Sequence, residues 1–143
     1  MNDDITEIQQ LLYRYCHTLD RSTLDEVMDV FHTNAVLQPT YEGDKGYIGR
    51  EAISGWYMNY EKTIKSAGRG LRHKITCPWI RVHGAEADSV SYLDADYVDS
   101  STGAFILATG RYEDKLLKEE GRWWIKERVI IIDGYHLLSK KKS

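Results

Sequence analysis

Several things are scarce in this chain of 143 residues, and each scarcity closes off a class of function. Basic charge is not in excess: 19 Lys and Arg stand against 22 Asp and Glu, a formal net charge of −3. That balance offers no field for a nucleic-acid backbone as the main partner. No stretch approaches the roughly 18 apolar residues of a membrane span. The start Met1-Asn2-Asp3-Asp4 lacks the basic-then-apolar pattern of a signal peptide. No membrane contact and a cytoplasmic location are therefore expected. Cysteine is limited to Cys16 and Cys77, without CxxC or Cys/His spacing, so both read as reduced core residues rather than a disulfide or a zinc site. There is no Gly-rich phosphate loop, no Gly-x-Ser-x-Gly elbow and no His-x-x-x-His pair, so neither a metal nor an organic cofactor is expected.

Phenylalanine is scarce too, with two against ten tyrosines and four tryptophans. Rings with a polar handle suit a pocket or interface that is dry at one end and hydrogen-bonding at the other.

The length is that of one domain, taken as residues 1–138, with a basic tail at 139–143 carrying Lys140, Lys141 and Lys142 that reads as disordered. From Ile5 to Leu19 the apolar positions Ile8, Leu12, Tyr15 and Leu19 recur at helical spacing. Ser22 and Thr23, followed by Asp25 and Glu26, cap a second helix over Leu24–Phe31. Ala35–Tyr41 reads as a strand ending at the turn-rich Glu42–Gly46 patch, and Arg50–Lys65 returns to helical spacing through Ile53, Trp56, Tyr57, Tyr60 and Ile64. The second half changes period. Leu71–His83, Ala87–Val98, Ala104–Leu117 and Arg122–Asp133 are extended and separated by short turns, which implies consecutive hairpins. Pro78 marks an edge position or a bulge. Helices first and a long meander afterwards define an α+β domain, with N-terminal helices packed on a strongly curved, mainly antiparallel sheet.

Polar groups on apolar patterns are the candidates for chemistry. Asp20 ends the first helix five residues beyond Tyr15, and it reads either as part of a site or as a cap or solvated residue. His73 shares a strand face by alternation with Ile75, Cys77 and Trp79, as a satisfied core residue or a catalyst. Asp94 and Asp96 share the face opposite Leu93, Ala95 and Tyr97, ordinary for a solvated face and of interest only if that face turns inward. Arg111 fits a surface ion pair or an anchor for an anionic group.

The run Ile8-Gln9-Gln10-Leu11-Leu12-Tyr13-Arg14-Tyr15-Cys16-His17-Thr18-Leu19-Asp20-Arg21, followed by Phe31-His32-Thr33-Asn34-Ala35, Gly49-Arg50-Glu51-Ala52-Ile53, Arg72-His73-Lys74-Ile75, Gly110-Arg111-Tyr112-Glu113-Asp114 and Trp123-Trp124-Ile125, resembles the SnoaL-like branch of the NTF2-like superfamily. That branch includes scytalone dehydratase, bile-acid dehydratase and a hexachlorocyclohexane dehydrochlorinase. The resemblance implies the cone-shaped α+β fold of that superfamily. It also implies a catalytic dyad at Asp20 and His73, with Tyr15 beside them and Asp96 as a further strand carboxylate. The chain departs from scytalone dehydratase in lacking a histidine within Ala87–Val98.

Near neutral pH a histidine, with an ordinary pKa of about 6.5, accepts a proton while a carboxylate on its other nitrogen fixes the tautomer. A tyrosine hydroxyl aimed at a carbonyl oxygen stabilises the enolate that forms. The expectation is thus a cofactor-independent lyase or isomerase, dehydratase-like, acting on a small hydrophobic, polyketide- or steroid-like molecule. His73 would be the base, Asp20 its orienter and Tyr15 an oxyanion donor. Trp56, Tyr57, Trp79, Asp96 and Arg111 would contact the substrate, and the protein would be a homodimer or homotrimer. The alternative is a non-catalytic binding or assembly module resembling the β-subunit of ring-hydroxylating dioxygenases.

Overall fold

The computed structural model describes residues 3–138. The proposed basic tail at 139–143 lies outside them. Helix α1 spans Asp4–Arg21, and the Asp3 carboxylate starts it by accepting from the Ile5 backbone N–H at 3.0 Å. Its apolar stripe, Ile8, Leu12, Tyr15 and Leu19, is buried along the whole length. Helix α2 is a single turn, Leu24–Met28, capped as the sequence suggests by Thr23, whose hydroxyl accepts from the Glu26 N–H.

The second helix therefore ends three residues earlier than its apolar pattern suggests. Phe31 belongs instead to strand β1, Phe31–Pro39, where it pairs with Ile125 of the last strand. The competing interaction is the parallel ladder, which also takes the Val30 carbonyl as acceptor for the Ile125 N–H. A helical Phe31 could not join that ladder. After a turn of 3₁₀ helix at Thr40–Glu42 and the two-residue strand β2, Tyr47–Ile48, helix α3 covers Arg50–Tyr60 and widens into a π turn at Glu61–Lys65.

Four long strands follow: β3 Gly68–His83, β4 Glu86–Asp99, β5 Phe105–Glu119 and β6 Arg122–Leu138. The last one runs five residues past Asp133, through Gly134, which pairs with Thr109. The six strands form one sheet in the order β2-β1-β6-β5-β4-β3, antiparallel throughout except for the β1–β6 pair. The sheet is open and curved. Its inner face holds the core with α1 and α3, including Leu93, Tyr112, Leu116, Ile125 and Ile130.

Two bulges shape that face. At Gly110 the pairing with β6 shifts register, and a Cβ there would sit 1.9 Å from the Ile131 carbonyl oxygen, so only glycine permits the approach. At Cys77 and Pro78, in edge strand β3, the register with β4 shifts between Thr76 and Trp79, and Cys77 adopts φ +52°. An inserted residue reverses which side chains face inward beyond it. Leu71, His73 and Ile75 face in before the bulge, and Ile80 and Val82 take that role after it. Cys77 is consequently exposed, not a core residue, whereas Cys16 is buried.

Candidate active site

The end of α1 meets β3. Asp20, one residue from the helix terminus, accepts the His73 backbone N–H on both carboxylate oxygens, at 3.0 and 2.9 Å. Its Oδ1 also lies 2.6 Å from His73 Nδ1. A carboxylate of this kind only accepts, so Nδ1 carries the hydrogen, and in the neutral ring the lone pair is then on Nε2. The three bonds fix both the backbone and the ring, and the two side chains are only 13% and 6% exposed.

His73 faces a cavity of about 250 Å³ between the helices and the inner sheet face. Tyrosines dominate its wall: Tyr15, Tyr41, Tyr60, Tyr97, Tyr112 and Tyr135, with Trp56 from α3. Aliphatic groups such as Leu71, Leu93 and Ile132 fill the gaps. Among the described lining residues Glu42 is the only acidic one, and no Lys or Arg takes part. Glu42 is itself clamped, its two oxygens accepting from the Tyr47 hydroxyl and the Trp56 indole N–H at 2.7 Å each. The wall thus favours a neutral, ring-bearing molecule over an anion.

Tyr15 lies deeper, with its hydroxyl 2.6 Å from that of Tyr57. Burial holds both phenols above their ordinary pKa; for Tyr15 the nearby Arg128 charge opposes the shift. Both therefore remain hydrogen-bond donors. The Tyr15 ring is wedged edge-on against Phe31 and Tyr112. The Arg128 guanidinium sits between two phenol faces, 4.1 Å from the Tyr15 ring centre and 4.0 Å from that of Tyr112. Asp114 binds the guanidinium through two bonds of 2.8 Å, and neither side chain has any solvent exposure. Burial works against the arginine's charge, but the Asp114 carboxylate outweighs it and keeps the group protonated.

The structure thus brings His73, Asp20, Tyr15 and Trp56 to one place. Tyr57 stands one shell behind the wall, as the partner of Tyr15. Trp79, Asp96 and Arg111 are elsewhere. Trp79 is 69% exposed on the outer sheet face, where Arg81 lies over its ring, because the bulge reversed the alternation that had aligned it with His73. Asp96 also faces outward. It is covered by Arg72 at 2.9 Å and by Lys74, while Leu93, Ala95 and Tyr97 from the same strand line the cavity. Arg111 is on that outer face, bonded to Glu113 at 3.1 Å.

Four participants escape the sequence: Glu42, Tyr60, and the Arg128–Asp114 pair. Tyr60 carried a signal, since it lies on one helical stripe with Trp56 and Tyr57. Asp114 carried one as well, lying between Tyr112 and Leu116 on an otherwise apolar face. Nothing in the sequence marks Arg128 as buried.

Comparison with known proteins returns a family and a fold. A family model described as a SnoaL-like domain matches residues 2–129. Among solved structures, a candidate scytalone dehydratase from Novosphingobium aromaticivorans DSM 12444 superposes with a TM-score of 0.81 at 20% identity, over 98% of this chain and 89% of that one. The hexachlorocyclohexane dehydrochlorinase LinA-type3 from Novosphingobium barchaimii LL02 gives 0.80 at 14% identity, over 98% and 93%. A protein of unknown function with a cystatin-like fold from Nostoc punctiforme PCC 73102 gives 0.71 at 24% identity, over 91% of each. No curated protein matches the chain in sequence. These similarities are of fold.

Proposed function

The chain belongs to the SnoaL-like domain family, and from that premise we propose that it is a cofactor-independent lyase or isomerase that removes a proton from carbon in a small, neutral, ring-bearing ketone. One observation carries the reading: the 2.6 Å contact between Asp20 Oδ1 and His73 Nδ1, which leaves Nε2 as the basic atom facing the cavity.

A ketone seated with its carbonyl oxygen near Tyr15 would place an adjacent C–H toward His73. Nε2 takes that proton, the C–H electron pair becomes the enolate, and Asp20 stabilises the imidazolium without itself accepting a proton. The Tyr57 hydroxyl can donate to Tyr15, which frees the Tyr15 proton for the developing oxyanion. Collapse of the enolate then expels a β-hydroxyl, which leaves as water with a proton made up from Nε2–H, or, where the ketone carries a β,γ double bond, Nε2–H protonates the γ-carbon of the dienolate and so moves the double bond. Both outcomes return the enzyme to its starting state.

The test is a panel of neutral cyclic β-hydroxy ketones, assayed with and without chelator. Chelator is expected to change nothing. His73→Gln should lower kcat by about a hundredfold or more with little effect on KM, because the lost interaction belongs to the transition state. Asp20→Asn should do comparable damage by presenting a donor to Nδ1 and so enforcing the wrong tautomer. If both variants keep full activity, the proton-abstraction reading is wrong.

A further inference from the structure

The basic nitrogen of His73 has one hydroxyl neighbour among the described residues: Tyr60 Oη lies 3.3 Å from Nε2. The geometry points to Tyr60 as a second catalytic group, one that carries the abstracted proton from His73 to the departing hydroxyl of the substrate. The inference rests on His73 acting as base.

Three features fit Tyr60 for this. Its ring is held in place: Trp56 stacks on it at 5.8 Å with an interplanar angle of 21°, and the Trp56 indole is pinned by Glu42 at 2.7 Å. Its position comes from the backbone, since α3 ends at Tyr60 and passes into the π turn Glu61–Lys65, whose Thr63 and Ile64 also reach the cavity. A widened turn of this type costs helix stability and is found frequently at functional sites. Finally, burial holds its phenol above the ordinary range, so it enters the reaction as a proton donor rather than as phenolate.

At rest the phenol donates to the Nε2 lone pair. When a ketone enters, the O–H turns about its C–O bond toward the substrate hydroxyl, and the C–H takes its place at Nε2 without any heavy atom of Tyr60 moving. The C–H bond breaks and its proton goes to Nε2. The C–O bond of the leaving group then breaks with its electron pair on oxygen, Tyr60 gives that oxygen its proton, and Nε2–H replaces the proton on Tyr60. Water leaves, and both side chains end as they began. Tyr15 does not take this role, because its hydroxyl bonds Tyr57 whereas Tyr60 is the hydroxyl bonded to Nε2.

A leaving group that needs no proton exposes the difference. The probes are a neutral β-hydroxytetralone, which loses water to give fluorescent naphthol, and its β-acetoxy counterpart, which releases acetate unaided. In Tyr60→Phe the ratio of hydroxyl to acetate elimination should fall at least about tenfold relative to the wild-type protein, within the usual range for loss of an acid catalyst. Mere loss of packing would slow both reactions together and leave the ratio unchanged, which would overturn the relay. His73→Gln must slow both eliminations by about a hundredfold or more. If it does not, or if the wild-type protein processes neither compound, the base reading falls and the relay with it. If His73→Gln slows both and the Tyr60→Phe ratio is unchanged, the base stands and the relay alone is lost.

Discussion

A side chain's environment decides its chemistry more than its identity does, and the two cysteines show this in the simplest way. Burial pushes the Cys16 thiol up to about 11, and its side of α1 is sealed against the core. Cys77 sits on the outside of a bulge. Because the thiolate is the reactive form, a maleimide or disulfide reagent at neutral pH should label Cys77 alone in the folded protein and both cysteines only after denaturation. Equal labelling of Cys16 in the native state would contradict the burial of α1. The same contrast applies to histidine. Of the five in the chain, His73 has one ring nitrogen fixed by a carboxylate and the other facing a cavity, whereas His32 spends its Nε2 on Glu119 at 2.8 Å, away from that cavity.

At the scale of elements, most helices and strands were legible because their apolar periods differ, near 3.6 before Gly68 and near 2 after it. What the sequence could not carry is where a ladder overrides a helix, as at Phe31, or where a bulge reverses a face, as at Trp79. Asp20 and His73 are 53 residues apart, so no spacing rule could join them, and only the family resemblance paired them in the sequence. The Arg128–Asp114 pair was invisible for another reason: its worth depends on complete burial under Tyr15 and Tyr112, a property of the assembled sheet. That pair yields a prediction for strands β5 and β6. Asp114→Asn leaves a buried, uncompensated guanidinium and should cost about 3–5 kcal/mol in urea unfolding. The double change Arg128→Met with Asp114→Leu removes both charges, and should cost much less or nothing. If Asp114→Asn unfolds at the wild-type midpoint, the pair contributes nothing to holding the floor of the cavity.

As a whole, the molecule is a cone closed by helices on one face and left open on the other. No helix among the described residues is long and apolar enough to cross a membrane. The outer sheet face carries Trp79 and Tyr92, 69% and 60% exposed, and Tyr135, Leu137 and Leu138 are exposed along the end of β6. Apolar exposure on that scale suits coverage by another copy, so the purified protein is expected to behave as a homodimer or homotrimer in light scattering at micromolar concentration. A monomer would contradict this, and a requirement for a different subunit would favour the non-catalytic assembly role instead. The proposed chemistry turns on one proton on one ring. Nitrogen NMR of the ¹⁵N-histidine-labelled protein, read on the neutral form of the ring, gives the tautomer of His73 directly. The expected result is a protonated Nδ1 bonded to Asp20 and an unprotonated Nε2, with Asp20→Asn reversing the assignment. A wild-type His73 protonated at Nε2 would contradict it, because no lone pair would then face the substrate.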